Sequence, residues 1–113
     1  MSKTKTEVTF VERNGRTLSK RTAYYENGQI AEIGTYSIGQ HSWGWNVPVG
    51  VVKTYFENGQ LKSELAYNES GVLDGDCLYF DQNGELIKRL TYSKDRLVKE
   101  EILKEPEVLE EKF

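Results

Sequence analysis

Histidine and cysteine occur once each in this sequence, at His41 and Cys77, and proline only twice. One histidine cannot supply the Ser-His-Asp or Cys-His pairings of nucleophilic hydrolysis with a base to spare, and it leaves zinc without enough imidazole or thiolate ligands. One cysteine cannot close an internal disulfide, which fits a reducing compartment. No stretch nears the roughly 20 consecutive apolar residues that span a bilayer. The start, MSKTKTEVTF, has no apolar run behind its lysines, so the expectation is a cytoplasmic protein without a membrane partner. Phosphate-cradling glycine loops are missing, because the glycines fall one per turn. Asp74-Gly75-Asp76 has no EF-hand continuation. Strong basic charge is missing as well: the net charge is −3 and the pI about 5.2, a poor match to phosphate backbones. No catalytic residue, metal ligand, cofactor or nucleic-acid partner is therefore assigned, and the inventory fits a binder better than an enzyme.

What is abundant is the aromatic and the repeated. Tyr55 to Tyr67 reads YFENGQLKSELAY, a β-hairpin with Asn58-Gly59 at its tip. Both of those residues can take positive φ, as a two-residue type I′ turn requires. That turn sets Phe56 against Leu61, Thr54 against Ser63, Lys53 against Glu64 and Val52 against Leu65, with opposite charges meeting and apolar side chains sharing a side. The block recurs as YYENGQIAEIGTY from Tyr24 and as YFDQNGELIKRLTY from Tyr79, the last with one added residue placed in its turn. Tyr36, Tyr67 and Tyr92 follow the turn glycines at one common offset.

Chain order completes the outline. Residues 6–25 read as a leading hairpin around Asn14-Gly15, whose Lys and Arg discourage further strand addition. The repeats lie at about 24–36, 50–67 and 75–92. The segment from 96 to 104 reads as a strand or a short helix, with the strand favoured by its likeness to the repeat; Pro106 ends it, and residues 105–113 form a tail. The whole is expected to be one domain over residues 1–113, all-β, a single twisted antiparallel meander of about eight strands built from tandem hairpins. One side would carry Tyr25, Ile30, Tyr36, Phe56, Leu61, Leu65, Tyr67, Leu78, Phe80, Leu86, Leu90 and Tyr92. Tyr24, Tyr55 and Tyr79 would form a column on the other.

These residues carry a resemblance. Repeats of the form YyeNGqlk.e..Y, with a glycine upstream of the aromatic pair, are similar to the MORN-variant repeat family, including the YwqK-type antitoxin proteins. Gly50 to Tyr67 and Gly75 to Tyr92 match well and Tyr24 to Tyr36 as a half repeat. The departures are an expansion around Trp43 and Trp45, the residue added at Gln82-Asn83, and Asp95-Arg96 where Asn-Gly is expected. The resemblance implies a non-catalytic sheet of stacked hairpins, and it implies that many small bacterial members are antitoxin or immunity proteins that bind a toxin.

The expansion, GQHSWGWNVPVG over residues 39–50, is the first candidate for partner contact. His41, Trp43, Trp45 and Asn46 stand together in it, and tryptophan and tyrosine concentrate binding energy at interfaces. The alternative is that Trp43 or Trp45 lies over the open side of the sheet as a lid. Tyr24, Tyr55 and Tyr79 are the second candidate, as a partner-facing strip or as cross-strand packing. The functional expectation is neutralisation of a cognate toxin domain by direct binding, the acidic chain meeting a basic surface. The alternative is a scaffold or adaptor for lipid head groups or structural proteins.

Overall fold

The computed structural model describes residues 3–38, 40–41, 44–45 and 47–104, the backbone alone at 40–41 and 44–45. Eight strands form one open antiparallel sheet: β1 (Lys3–Arg13), β2 (Arg16–Tyr25), β3 (Ile30–Tyr36), β6 (Pro48–Tyr55), β7 (Leu61–Tyr67), β8 (Gly75–Phe80), β9 (Leu86–Ser93) and β10 (Arg96–Ile102), adjacent in that order. Between β3 and β6 a separate ribbon pairs β4 (Gln40–His41) with β5 (Gly44–Trp45). The ambiguous segment after Asp95 is a strand. Its side chains Lys99, Glu100 and Glu101 sit opposite Thr91, Leu90 and Arg89, and that pairing satisfies the backbone without a helix.

The hairpin turns differ from expectation in one instructive respect. Phe56 N–H donates to Gln60 O at 2.8 Å and Gly59 N–H to Phe56 O at 3.0 Å, which encloses a three-residue loop, Glu57-Asn58-Gly59. Only Gly59 of that loop has positive φ, at 91°, so the tip is a three-residue loop with a left-handed glycine instead of a type I′ turn. The two-residue form occurs at Asn14-Gly15 and Lys94-Asp95, where both residues have positive φ. The same bonding closes Tyr25 to Gln29, Asn68 to Val72 and Asp81 to Glu85. The third repeat thus has no longer turn. Its aromatic pair is instead displaced by one residue, and Asp81 takes the place of Phe56 because its carboxylate accepts the Asn83 and Glu85 amides at 2.9 and 3.0 Å.

Each of the three repeat hairpins then carries one extra residue three positions after the turn glycine, namely Ala31, Lys62 and Ile87. The bulge offsets the longer loop. Val52 meets Leu65, Lys53 meets Glu64 and Thr54 meets Ser63 as a two-residue turn would have required, whereas Tyr55, not Phe56, sits opposite Leu61. The turns also stack on one another: Asn27 Nδ2 donates to Glu57 O at 3.0 Å and Asn58 Nδ2 to Gln82 O at 3.1 Å. Tyr25 Oη adds a bond to Tyr55 O at 2.7 Å. Lys104 ends the column on Asp81 and Glu85.

Directly opposed residues share a face, so two rows cross all eight strands. One runs Thr6, Ala23, Glu32, Thr54, Ser63, Tyr79, Lys88, Ile102 and the next runs Glu7, Thr22, Ile33, Lys53, Glu64, Leu78, Arg89, Glu101. Alternation along the strands places Val52, Leu65, Tyr67, Cys77, Leu90 and Tyr92 with the first row. This corrects the expected sides. Leu78 and Phe80 belong to the other face and Tyr79 joins Leu65 and Tyr67, because the one-residue displacement in the third repeat inverts that strand. Ile30, Leu61 and Leu86 also lie on the other face, opposite Tyr24, Tyr55 and Phe80, because the bulge after each turn shifts them across. The column is accordingly Tyr24, Tyr55 and Phe80, each four residues before its glycine, with Tyr79 on the reverse side.

A one-layer sheet buries little. Leu18, Ala31, Val49, Val52 and Cys77 are its buried apolar residues among those described, and most other large apolar side chains stay half-buried. Leu18 and Val49 lie beside the base of the expansion, where Ser37 and Val47 close a two-way link: Ser37 N–H donates to Val47 O at 2.8 Å and Val47 N–H to Ser37 Oγ at 3.0 Å. Arg13 and Arg16 reach Glu69 at the same end, at 3.3 and 3.7 Å. The Arg13 guanidinium lies over Gly50, whose φ of +85° and missing side chain make room for it.

Candidate functional site

The first row defines a tyrosine face. Tyr36, Tyr67, Tyr79 and Tyr92 stand on it around the fully enclosed Cys77, with exposed Val8 and Phe10 on β1 and Leu97 and Ile102 on β10 at its margins. Phe10 is 67% exposed, a degree unusual for a phenylalanine on a sheet and unexplained by packing within the chain. Burial, followed by the neighbouring Glu32 carboxylate, pushes the Tyr36 hydroxyl up to about 12. Burial is also the first cause that raises Tyr67 and Tyr79, with Cys77 beside both. These phenols are therefore neutral hydroxyls at neutral pH; Tyr36 already donates to Glu32, and Tyr67 and Tyr79 can donate to a partner's carbonyl or carboxylate. The Cys77 thiol is likewise pushed up by burial, which keeps it an unreactive packing residue.

Cations on this face rest on rings. Arg21 lies 5.2 Å from the Tyr36 ring centre, Lys62 5.6 Å from that of Phe56 and Lys88 4.8 Å from that of Tyr79. Glu32 is the carboxylate at the centre of the row, bonded to Lys3 at 3.1 Å and accepting from Tyr36 Oη at 3.3 Å. A shallow trough runs across the face in three connected parts of about 400, 450 and 530 Å³. Lys3 and Glu32 are shared by the first two, and Tyr25 and Lys62 by the last two.

The opposite face sets opposite charges across from each other. Lys53 faces Glu64, and Arg89 bonds Glu101 at 2.9 Å. At its edge Tyr24 Oη donates to Glu7 at 2.8 Å while Lys5 lies 5.5 Å from the Tyr24 ring. That hydrogen bond is the leading cause that holds the Glu7 carboxyl below its usual range.

A family model described as a MORN repeat variant matches residues 20–37, 48–72 and 73–94, more than half of the sequence, with β6 and β7 within the second match and β8 and β9 within the third. The chain belongs to the MORN repeat variant family. Such repeats are typically non-catalytic and generally serve as protein-binding scaffolds. No curated protein and no solved structure matches the chain significantly. Among the described residues no three His, Cys, Asp or Glu side chains converge as metal ligands would.

The residues singled out from the sequence fall in three places. Trp43 and Asn46 lie outside the described residues, while His41 and Trp45 stand on the β4–β5 ribbon, with His41 opposite Gly44 and Trp45 opposite Gln40. Tyr24 and Tyr55 occupy equivalent repeat positions, and Tyr79 lies on the tyrosine face. Arg21, Glu32 and Lys62 were not anticipated. Lys62 had a signal, since it stands three residues after its glycine as Ala31 and Ile87 do. A bulge at that offset leaves no mark in an alternating pattern, however, so the face that Lys62 joins was hidden.

Proposed function

We propose that this MORN-variant module is an antitoxin or immunity protein, one that docks a toxin domain on its tyrosine face and occludes the toxin's working site. The observation that carries the reading is the asymmetry of exposed apolar surface. Val8, Phe10, Leu97 and Ile102 line the margins of a face already rich in half-buried tyrosine, whereas the other face exposes Val51 and opposes charges such as Arg89 and Glu101. Tyrosine, tryptophan and arginine are the residue types that anchor interfaces, and losing one anchor typically costs about 2 kcal/mol or more. The mechanism is steric: a rigid sheet whose hairpins are tied turn to turn presents a preorganised platform and loses little entropy on binding. The expansion with His41, Trp43, Trp45 and Asn46 adds a second contact.

Co-purification with the product of the adjacent gene tests the reading. Replacing Trp43 and Trp45 together by alanine is expected to abolish capture while leaving the melting temperature nearly unchanged; a large stability loss with capture retained would make the tryptophans a lid. The adaptor alternative draws support from the cations of the tyrosine face and predicts sedimentation with anionic liposomes.

A further inference from the structure

The trough on the tyrosine face has a charge balance that the whole chain conceals. Arg21 and Lys62 project into it, each laid against an aromatic ring, and among the described residues neither is within ion-pair range of a carboxylate. Glu32, between them, is already engaged by Lys3 and Tyr36, and with Glu57 beside Lys62 the lining holds three cations to two carboxylates. Arg21 Nε is in addition a buried donor without a hydrogen-bond partner. The trough reaches from β1 and β2 to the Gln82 turn beyond β7. At about 4.8 Å per strand this span is roughly 20 Å, the length of about six extended residues.

We propose, on the reading of this face as a protein-docking surface, that the trough takes an extended acidic segment of the partner, with carboxylates at Arg21 and Lys62. Side chains between those carboxylates rest on Tyr25 and Phe56. The net charge of −3 favours basic partners only as an average over the molecule, and the trough selects locally for the opposite sign.

The test is a backbone-amide NMR titration of the full chain with an eight-residue peptide alternating glutamate and threonine, its lysine-threonine counterpart serving as control. The expected result is saturable shifts at Arg21, Tyr25, Glu32 and Lys62 with the acidic peptide alone. Arg21→Gln combined with Lys62→Gln is expected to weaken binding about tenfold with an unchanged melt, and Glu32→Gln to tighten it about twofold. Raising salt from about 50 to 300 mM should weaken it several-fold. Equal response to both peptides, or shifts confined to Lys53 and Glu64, would overturn the inference. So would binding to phosphatidylserine vesicles without peptide binding, which would assign the trough to a lipid surface. A tenfold gain on replacing Glu107, Glu110 and Glu111 by glutamine would overturn it too, by making the chain's own acidic end the occupant. If the peptide fails while the adjacent gene's product still co-purifies, this inference falls and the docking reading stands. Peptide binding without co-purification removes the antitoxin reading alone.

Discussion

The two faces of this sheet are made of the same strands and meet solvent in different ways. On one, charges of opposite sign sit across from each other, Lys53 with Glu64 and Arg89 with Glu101, the second pair in direct contact. On the other, tyrosines pack around Cys77 and Val52, cations lie on rings, and apolar side chains at both margins remain open. The lesson is that a single layer divides its tasks by face. The charged face buries Leu18 and Val49 beside the base of the expansion, and the tyrosine face buries Val52 and Cys77 and keeps the capacity for another molecule at its open margins.

The largest effect that separates the faces is one of packing. Val52 is 5% exposed on the tyrosine face, and Val52→Ala should lower unfolding free energy by about 2 kcal/mol in urea titrations. Ile33→Ala, half-buried on the charged face, should lose less than half of that, and equal losses would erase the distinction. Next in size is the cross-strand charge. Lys53→Glu places like charges opposite each other and should destabilise by about 0.5 kcal/mol, with Glu64→Lys in the same chain restoring the loss. A double variant no more stable than the single one would mean that the pair does not set the register.

The smallest effect is in alkaline titration. Tyr36 is raised from 10.0 to about 12, so the folded state holds its proton more tightly than the unfolded chain does. Its contribution to stability is whole below pH about 10 and is lost as the pH rises towards 12. Tyr36→Phe should flatten stability across that window, and the phenolate absorbance rising near pH 12 should disappear. An unchanged profile would place the shifted hydroxyl elsewhere.

Legibility from sequence follows the same division. The hairpins, their order and the pairs from Val52 to Thr54 could be read because alternation and the Asn-Gly tips point to one register, which two opposing irregularities, a longer loop and a bulge, leave intact. The face of Tyr79 could not be read, because one displaced residue inverts a whole strand, and the choice between displacement and turn insertion depends on Asp81 capping its own loop. The trough was invisible for a related reason. It joins Lys3, Arg21, Glu32 and Lys62 from four strands, and no local spacing announces a site assembled across strands.

Hydroxyl-radical footprinting of the complex with the adjacent gene's product tests most directly whether the tyrosine face docks the partner, because it reports side chains and so distinguishes two sides of one strand. The account predicts that Phe10, Tyr36, Tyr67 and Tyr79 lose reactivity on binding while Ile33, Val51 and Leu78 keep theirs. Protection of Ile33, Val51 and Leu78 with the tyrosines unchanged would contradict it.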